Sequence, residues 1–193
     1  MCPLSGDTAV VGRSFSNYER ELRTLLEGEP SAVRSYARAL PPSERKEFER
    51  LIREPFLVIR GAGSFGFDLV AMRWSLSFPI EVKASSEPVI RFTAASGRAN
   101  AQLAAHRAAI AKVGLSVVYA FRRIGLRSAE PWRVYRGSDA PTPGVLGLIC
   151  RGLPPMSSTR DGNAALRWEE GQELSKFLAR TRELLGPSRG AGA

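Results

Sequence analysis

Asp68, Glu81 and Lys83 fall within "GSFGFDLVAMRWSLSFPIEVKAS", residues 63–85, a stretch that otherwise reads as two apolar strands. Strand side chains alternate between faces, so in "PIEVKA" Ile80 and Val82 share one face while Glu81 and Lys83 share the other. An antiparallel hairpin turning between Trp74 and Ser75 pairs Arg73 with Leu76 and, further from the turn, sets Asp68 opposite Glu81. Facing carboxylates repel and are normally avoided across strands. A divalent cation between them resolves the conflict. Hard oxygen ligands suit Mg²⁺, with Mn²⁺ as the alternative, and such sites commonly complete their shell with phosphate oxygens. Lys83, next along the same face, can hold an attacking water or offset charge on the phosphate. The chemistry this points to is phosphodiester hydrolysis, with the metal as Lewis acid and water activator.

The elements that must position these groups can be read from periodicity and punctuation. In "SFSNYERELRTLLEGEP", Tyr18, Leu22, Leu25 and Leu26 recur at helical spacing, with Pro30 as the expected end. "SAVRSYARAL" reads as a second helix stopped by Pro41 and Pro42, and Ser43 is placed to cap a third in "SERKEFERLIREP". Next come a strand "FLVIR", a turn "GAGSFG", the strand pair "FDLVAM" and "FPIEVKA", and a strand "PVIRFT". An alanine-rich helix follows, ending at Gly114, then strands "LSVVYAF" and "PWRVYR". The pattern fades between Gly137 and Pro155, before a last helix in "WEEGQELSKFLARTRELL". The order is α/β: a small mixed β-sheet flanked by α-helices. Residues 1–13 are expected to be loose. A core over 14–136 carries a helical insertion near 28–54, residues 137–186 form a C-terminal extension, and 187–193 a disordered tail.

With 193 residues, 44% of them hydrophobic, the chain can bury one core. Its formal net charge of +9 favours polyanionic partners. From Lys83 to Arg136 the basic residues are opposed only by Glu87 and Glu130, which makes nucleic acid the expected partner. Cys2 and Cys150 are too few and too far apart for a disulfide framework or a zinc cluster. The sequence shows no signal-peptide run and no membrane span, so a soluble cytoplasmic protein is expected.

The Asp, then Glu-x-Lys, pattern resembles the PD-(D/E)xK nuclease superfamily, with Phe67 where proline often stands. Within it, "RGAGSFGFDLVAM…PIEVKAS" most resembles the archaeal Holliday junction resolvases, which carry R-x-A-G-S before the metal aspartate. The resemblance runs from about Tyr18 to Tyr135 and implies a restriction-endonuclease-like core. It makes Asp68 and Glu81 metal ligands, Lys83 the catalytic lysine, Ser64 the loop serine and Arg60 the arginine ending the preceding strand. A helix beginning E-R-E-L supplies a further acid in that family; "ERELRTLLE" makes this Glu19, with Arg20 beside it. The segment "GEPSAVRSYARALPPSERKEF" departs from the family pattern, and an ungapped alignment puts Glu44 in Glu19's place. The implied activity is Mg²⁺-dependent cleavage of four-way DNA junctions in recombination and repair by a homodimer, with Arg20 and Arg60 at the DNA. Arg91, Arg98, Arg122 and Arg123 of the basic middle are the further residues expected to contact it, the last two from a solvated loop. Two other readings stay open: a related nuclease acting on flaps, ends or foreign DNA, and a DNA-binding module without catalysis. His106, alone on its alanine-rich helix, is expected to be exposed or packed.

Overall fold

A computed structural model of the chain describes residues 11–61, 66–126, 128–140 and 142–186. Its longest strand, β3 (Leu76–Ser85), is covered on both faces over most of its length. β3 pairs antiparallel with β2 (Leu69–Arg73), which pairs with the edge strand β1 (Leu57–Arg60). On its other side β3 runs parallel to β5 (Val118–Arg123), followed by antiparallel β6 (Trp132–Arg136) and the short β9 (Gln172–Glu173). The result is a six-stranded mixed sheet in the order β1-β2-β3-β5-β6-β9. Parallel neighbours need a crossover. Between β3 and β5 it contains β4 (Val89–Phe92) and α4 (Arg98–Val113), which Gly114 ends in the left-handed conformation at φ +67°.

Alternation along the strands builds two apolar layers. Ile80, Val82, Val118, Ala120 and Val134 face a core shared with Leu22, Leu25 and Leu26 of α1 (Val11–Leu26) and Phe48 of α3 (Pro42–Glu49). Between those two helices lies α2 (Pro30–Ala37), whose Val33 and Ala37 join the same core. So do Ile149 of α5 (Gly144–Arg151) and Phe177 of α6 (Leu174–Leu185). On the opposite face Tyr119, Phe121 and Tyr135 pack with Leu103 and Ile110 of α4 and with Leu166 of β8 (Ala164–Arg167). β8 lies between β4 and β7 (Ser157–Ser158) in a second, three-stranded sheet. The face carrying Glu81 and Lys83 is therefore roofed by α4 and this small sheet rather than left to solvent.

Several boundaries differ from the sequence expectation. α1 begins at Val11, ahead of the expected core boundary, and residues 1–10 and 187–193 lie outside the described part of the chain. It ends at Leu26, well before Pro30, and the chain turns at Gly28; at φ +69° any Cβ there would meet the Leu51 carbonyl oxygen at 2.2 Å. Pro30 instead opens α2, where a missing N–H is harmless, and Glu29 caps it by accepting the Ala32 N–H at 2.7 Å. Ser43 lies inside α3, whose cap is Pro41 without a side-chain hydrogen bond. α5 occupies the glycine- and proline-rich region where the pattern fades. The last helix starts at Leu174, because Trp168–Glu170 form a 3-10 turn and Gln172–Glu173 join the sheet. Residues 137–186 thus add two helices to the first apolar layer, β9 to the main sheet, and β7 and β8 to the second sheet.

Candidate active site

Hairpin β2–β3 has the register its sequence suggests. Arg73 pairs with Leu76 and Leu69 with Ile80, so Asp68, one residue before β2, comes opposite Glu81. The Asp68 N–H donates to the Ile80 carbonyl at 3.1 Å, and its carboxylate Oδ2 accepts the Val82 N–H at 2.7 Å. This ties the aspartate to the backbone of the strand that carries Glu81 and Lys83. At the hairpin tip Trp74 takes φ +53° and is 53% exposed, while the neighbouring Arg73 guanidinium lies over the rings of Phe56 and Trp74.

Glu81 is only 1% exposed. Its Oε1 accepts from Lys83 Nζ, and its Oε2 from Gln102 Nε2 of α4 at 2.9 Å. Burial pushes its carboxyl up to about 7; Lys83 pulls it down, and Asp68 and Glu19 push it up. Glu19 comes from α1 to the same place. Its carboxylate pairs with Arg60 of β1 at 3.2 Å, and its pKa is raised by burial first and by Asp68 second, against Arg60 and Lys83. Four charged groups from α1, the β2 entry and β3 therefore lie within one another's electrostatic reach.

α4 closes the site from above. Gln102 donates to Glu81 and, at 3.1 Å, to the Gly66 carbonyl, while its own oxygen accepts from Lys83 Nζ at 3.1 Å. One turn on, His106 is 2% exposed. Its Nε2 bonds the same Gly66 carbonyl and its Nδ1 lies 2.7 Å from the Tyr119 hydroxyl. Burial, chiefly, lowers its pKa and favours the neutral ring. A carbonyl can only accept, so Nε2 carries the proton and Nδ1 accepts from Tyr119. Phe67 stacks on the His106 ring at 4.9 Å between centroids. Gln102 was not singled out from the sequence; the available signal is a polar i, i+4 pair, Gln102 and His106, on an otherwise alanine-rich helix.

The other expected residues divide by position. Glu44 lies elsewhere: among the described residues, the three acids whose oxygens approach within 4.8 Å are Glu44, Glu130 and Glu173. That group sits at the start of α6, where Glu130 accepts the N–H and hydroxyl of Ser175, so it serves as a cap for the helix. Arg133 and Lys176 pair with Glu173 there. Ser64 lies outside the described residues. Arg20 is exposed on α1, Arg91 on β4 and Arg98 at the start of α4. Arg122 is held at 3.0 Å by Glu21, which also accepts from the Trp132 indole, and Arg123 is half-buried beside it.

Asp68, Glu81 and Glu19 offer only carboxylate oxygens, the donors that a hard divalent cation takes, although their oxygens do not all lie within 4.8 Å of one another as those of Glu44, Glu130 and Glu173 do. Each Glu81 oxygen accepts one hydrogen bond and keeps a second lone-pair direction, so it can ligate a cation with the Lys83 and Gln102 contacts in place.

Neither a family model nor a curated protein matches the sequence. Among solved structures, the chain is similar to Hjc, a Holliday junction resolvase from the archaeal hyperthermophile Archaeoglobus fulgidus. The two are 18% identical with a TM-score of 0.43, over 70% of this chain and 91% of that one. No helix among the described residues is long and apolar enough to cross a membrane.

Proposed function

We propose that this chain is a metal-dependent DNA endonuclease with a PD-(D/E)xK site on a restriction-endonuclease-like core, acting on four-way junctions as a homodimer. The observation that carries the reading is the convergence of Asp68, Glu81, Lys83 and Glu19, with Asp68 bonded to the Val82 amide between the other two strand residues. Burial, with Asp68 adding to it, raises the pKa of Glu19 and of Glu81. Carboxylates held beside a phosphate would repel it unless a cation lies between, which favours a metal site over a module that only binds DNA. The junction preference rests on the likeness of "ERELRTLLE" and "RGAGS" to the resolvases.

Asp68, Glu81 and Glu19 would hold Mg²⁺, or Mn²⁺ in its place, which when bound supplies Lewis-acid stabilisation and a more acidic water. Lys83, 17% exposed at its side chain, is close enough to the surface to meet a phosphate oxygen and offset the charge that builds during attack. Arg60 shares the site's rim with Glu19, and Arg91 and Arg98 offer sequence-independent phosphate contacts.

The test compares cleavage of a four-way junction, linear duplex, single strand and flap, with Mg²⁺ and with EDTA. Junction cutting in Mg²⁺ alone is expected. Asp68→Asn and Glu81→Gln should each fall below detection while binding the junction as tightly as the parent or more so, since each removes negative charge near phosphate. Near-parental cutting by either variant overturns the metal site. Equal cutting of duplex and junction assigns a linear-DNA nuclease, and binding without any cutting assigns a binding module.

A further inference from the structure

Gln102 makes three hydrogen bonds with its side-chain amide, and only one orientation of that amide satisfies them. Glu81 Oε2 and the Gly66 carbonyl are acceptors, so both must face the NH₂ group; Lys83 Nζ is a donor, so it must face the oxygen. A flipped amide would set oxygen against oxygen twice. The group therefore fixes the carboxylate and the ammonium of the Glu-x-Lys pair relative to each other. Through Gly66, it also fixes the backbone entering Asp68. Its own position is set by α4: Leu103 beside it is buried in the second apolar layer, and His106 one turn later bonds the same carbonyl.

We propose that Gln102 is a positioning residue for the active site, aligning Glu81 and Lys83 for metal and phosphate without touching the reacting atoms. An apolar side chain of the same length would fill the space but leave Glu81 Oε2, inside the protein, without its donor. Glu81 would then turn toward Lys83 alone, drawing the ammonium away from phosphate. Partners that orient a ligating carboxylate typically matter by about 10- to 100-fold in metal affinity or activity.

This inference rests on the nuclease reading, and the experiment separates the two. Mn²⁺ is titrated onto the protein bound to a non-cleavable phosphorothioate junction, and cleavage of the normal junction is measured in parallel. Gln102→Met is compared with the parent, with Gln102→Ala as a second variant should Met fail to fold, and with Leu103→Val as a control for lost packing on the same helix. The expected result is a rise of about 10- to 100-fold in the Mn²⁺ dissociation constant, a matching fall in kcat and an unchanged KM for DNA in the Gln102 variants. Leu103→Val should lower the melting temperature while leaving Mn²⁺ affinity as it was. Parental Mn²⁺ affinity and kcat in a folded Gln102 variant overturn the positioning role, as does a loss that Leu103→Val reproduces. If the parent itself neither binds Mn²⁺ nor cuts, the nuclease reading fails and this inference with it.

Discussion

Glu81 ties burial to charge more tightly than any other residue of the site. Its folded pKa of about 7 lies above the ordinary carboxylate value of 4.5, so between those values the unfolded chain gives up a proton that the folded chain keeps. Without metal, its contribution is neutral below the unfolded value, turns unfavourable as pH rises toward 7 and is flat above. The span corresponds to a destabilisation on the order of 3 kcal/mol. Urea unfolding in EDTA should therefore show Glu81→Gln gaining on the parent between pH 5 and pH 8; an unchanged difference would mean that the carboxylate is not held in this environment. The choice between Glu19 and Glu44 belongs to the same scale. Glu19 lies within reach of Asp68 and Lys83, whereas Glu44 accepts from Ser175 of α6. Glu19→Gln should eliminate Mg²⁺-dependent cleavage of a junction, and Glu44→Gln should cut at the parental rate. The reverse result would put the third acid on α3.

Among the elements, α6 shows how a buried acid can be structural. Glu130, in the loop before β6, accepts the Ser175 N–H in the first turn of the helix and the Ser175 hydroxyl at 2.8 Å. Burial, above all, raises its pKa, and these two bonds oppose the rise. Replacing it by alanine leaves the helix N-terminus uncapped and should lower stability by about 2 kcal/mol, read as a shift of the denaturation midpoint without loss of junction cleavage. A shift within error would deny it the capping role. Element by element, the β2–β3 register was legible because turn position and side-chain alternation determine it together. The end of α4 was legible because Gly114 is where a left-handed cap is needed. The start of α6 was not: Gly171 is required by the Tyr135 and Arg133 side chains that crowd its Cα, a contact made across the sheet rather than along the chain.

For the whole molecule, the decisive fact is that the last third completes the core. Leu146, Ile149, Leu174, Phe177 and Leu178 join the layer built by α1 and β3, and β9 pairs with β6. A chain ending at residue 136 should lose cooperative urea unfolding, because it exposes that layer to water. A sharp, two-state transition in the truncated chain would instead make 137–186 a true appendage. Charge also looks different at this scale. Arg122, Arg133 and Arg136 of the basic middle are paired with Glu21, Glu173 and Asp139, acids from outside that segment, while Arg91, Arg98, Arg107 and Lys112 stay exposed. The sequence by itself determined the α/β order, the hairpin that sets Asp68 opposite Glu81, and the side of β3 that carries the charges, because all three follow from local period and turn chemistry. Only the tertiary structure decided that α4 roofs that charged face, that Gln102 and His106 bond the Gly66 carbonyl there, and that Glu44 belongs to the cap of α6. Those facts depend on which elements meet across the sheet, and packing between distant segments leaves no periodic trace in the chain.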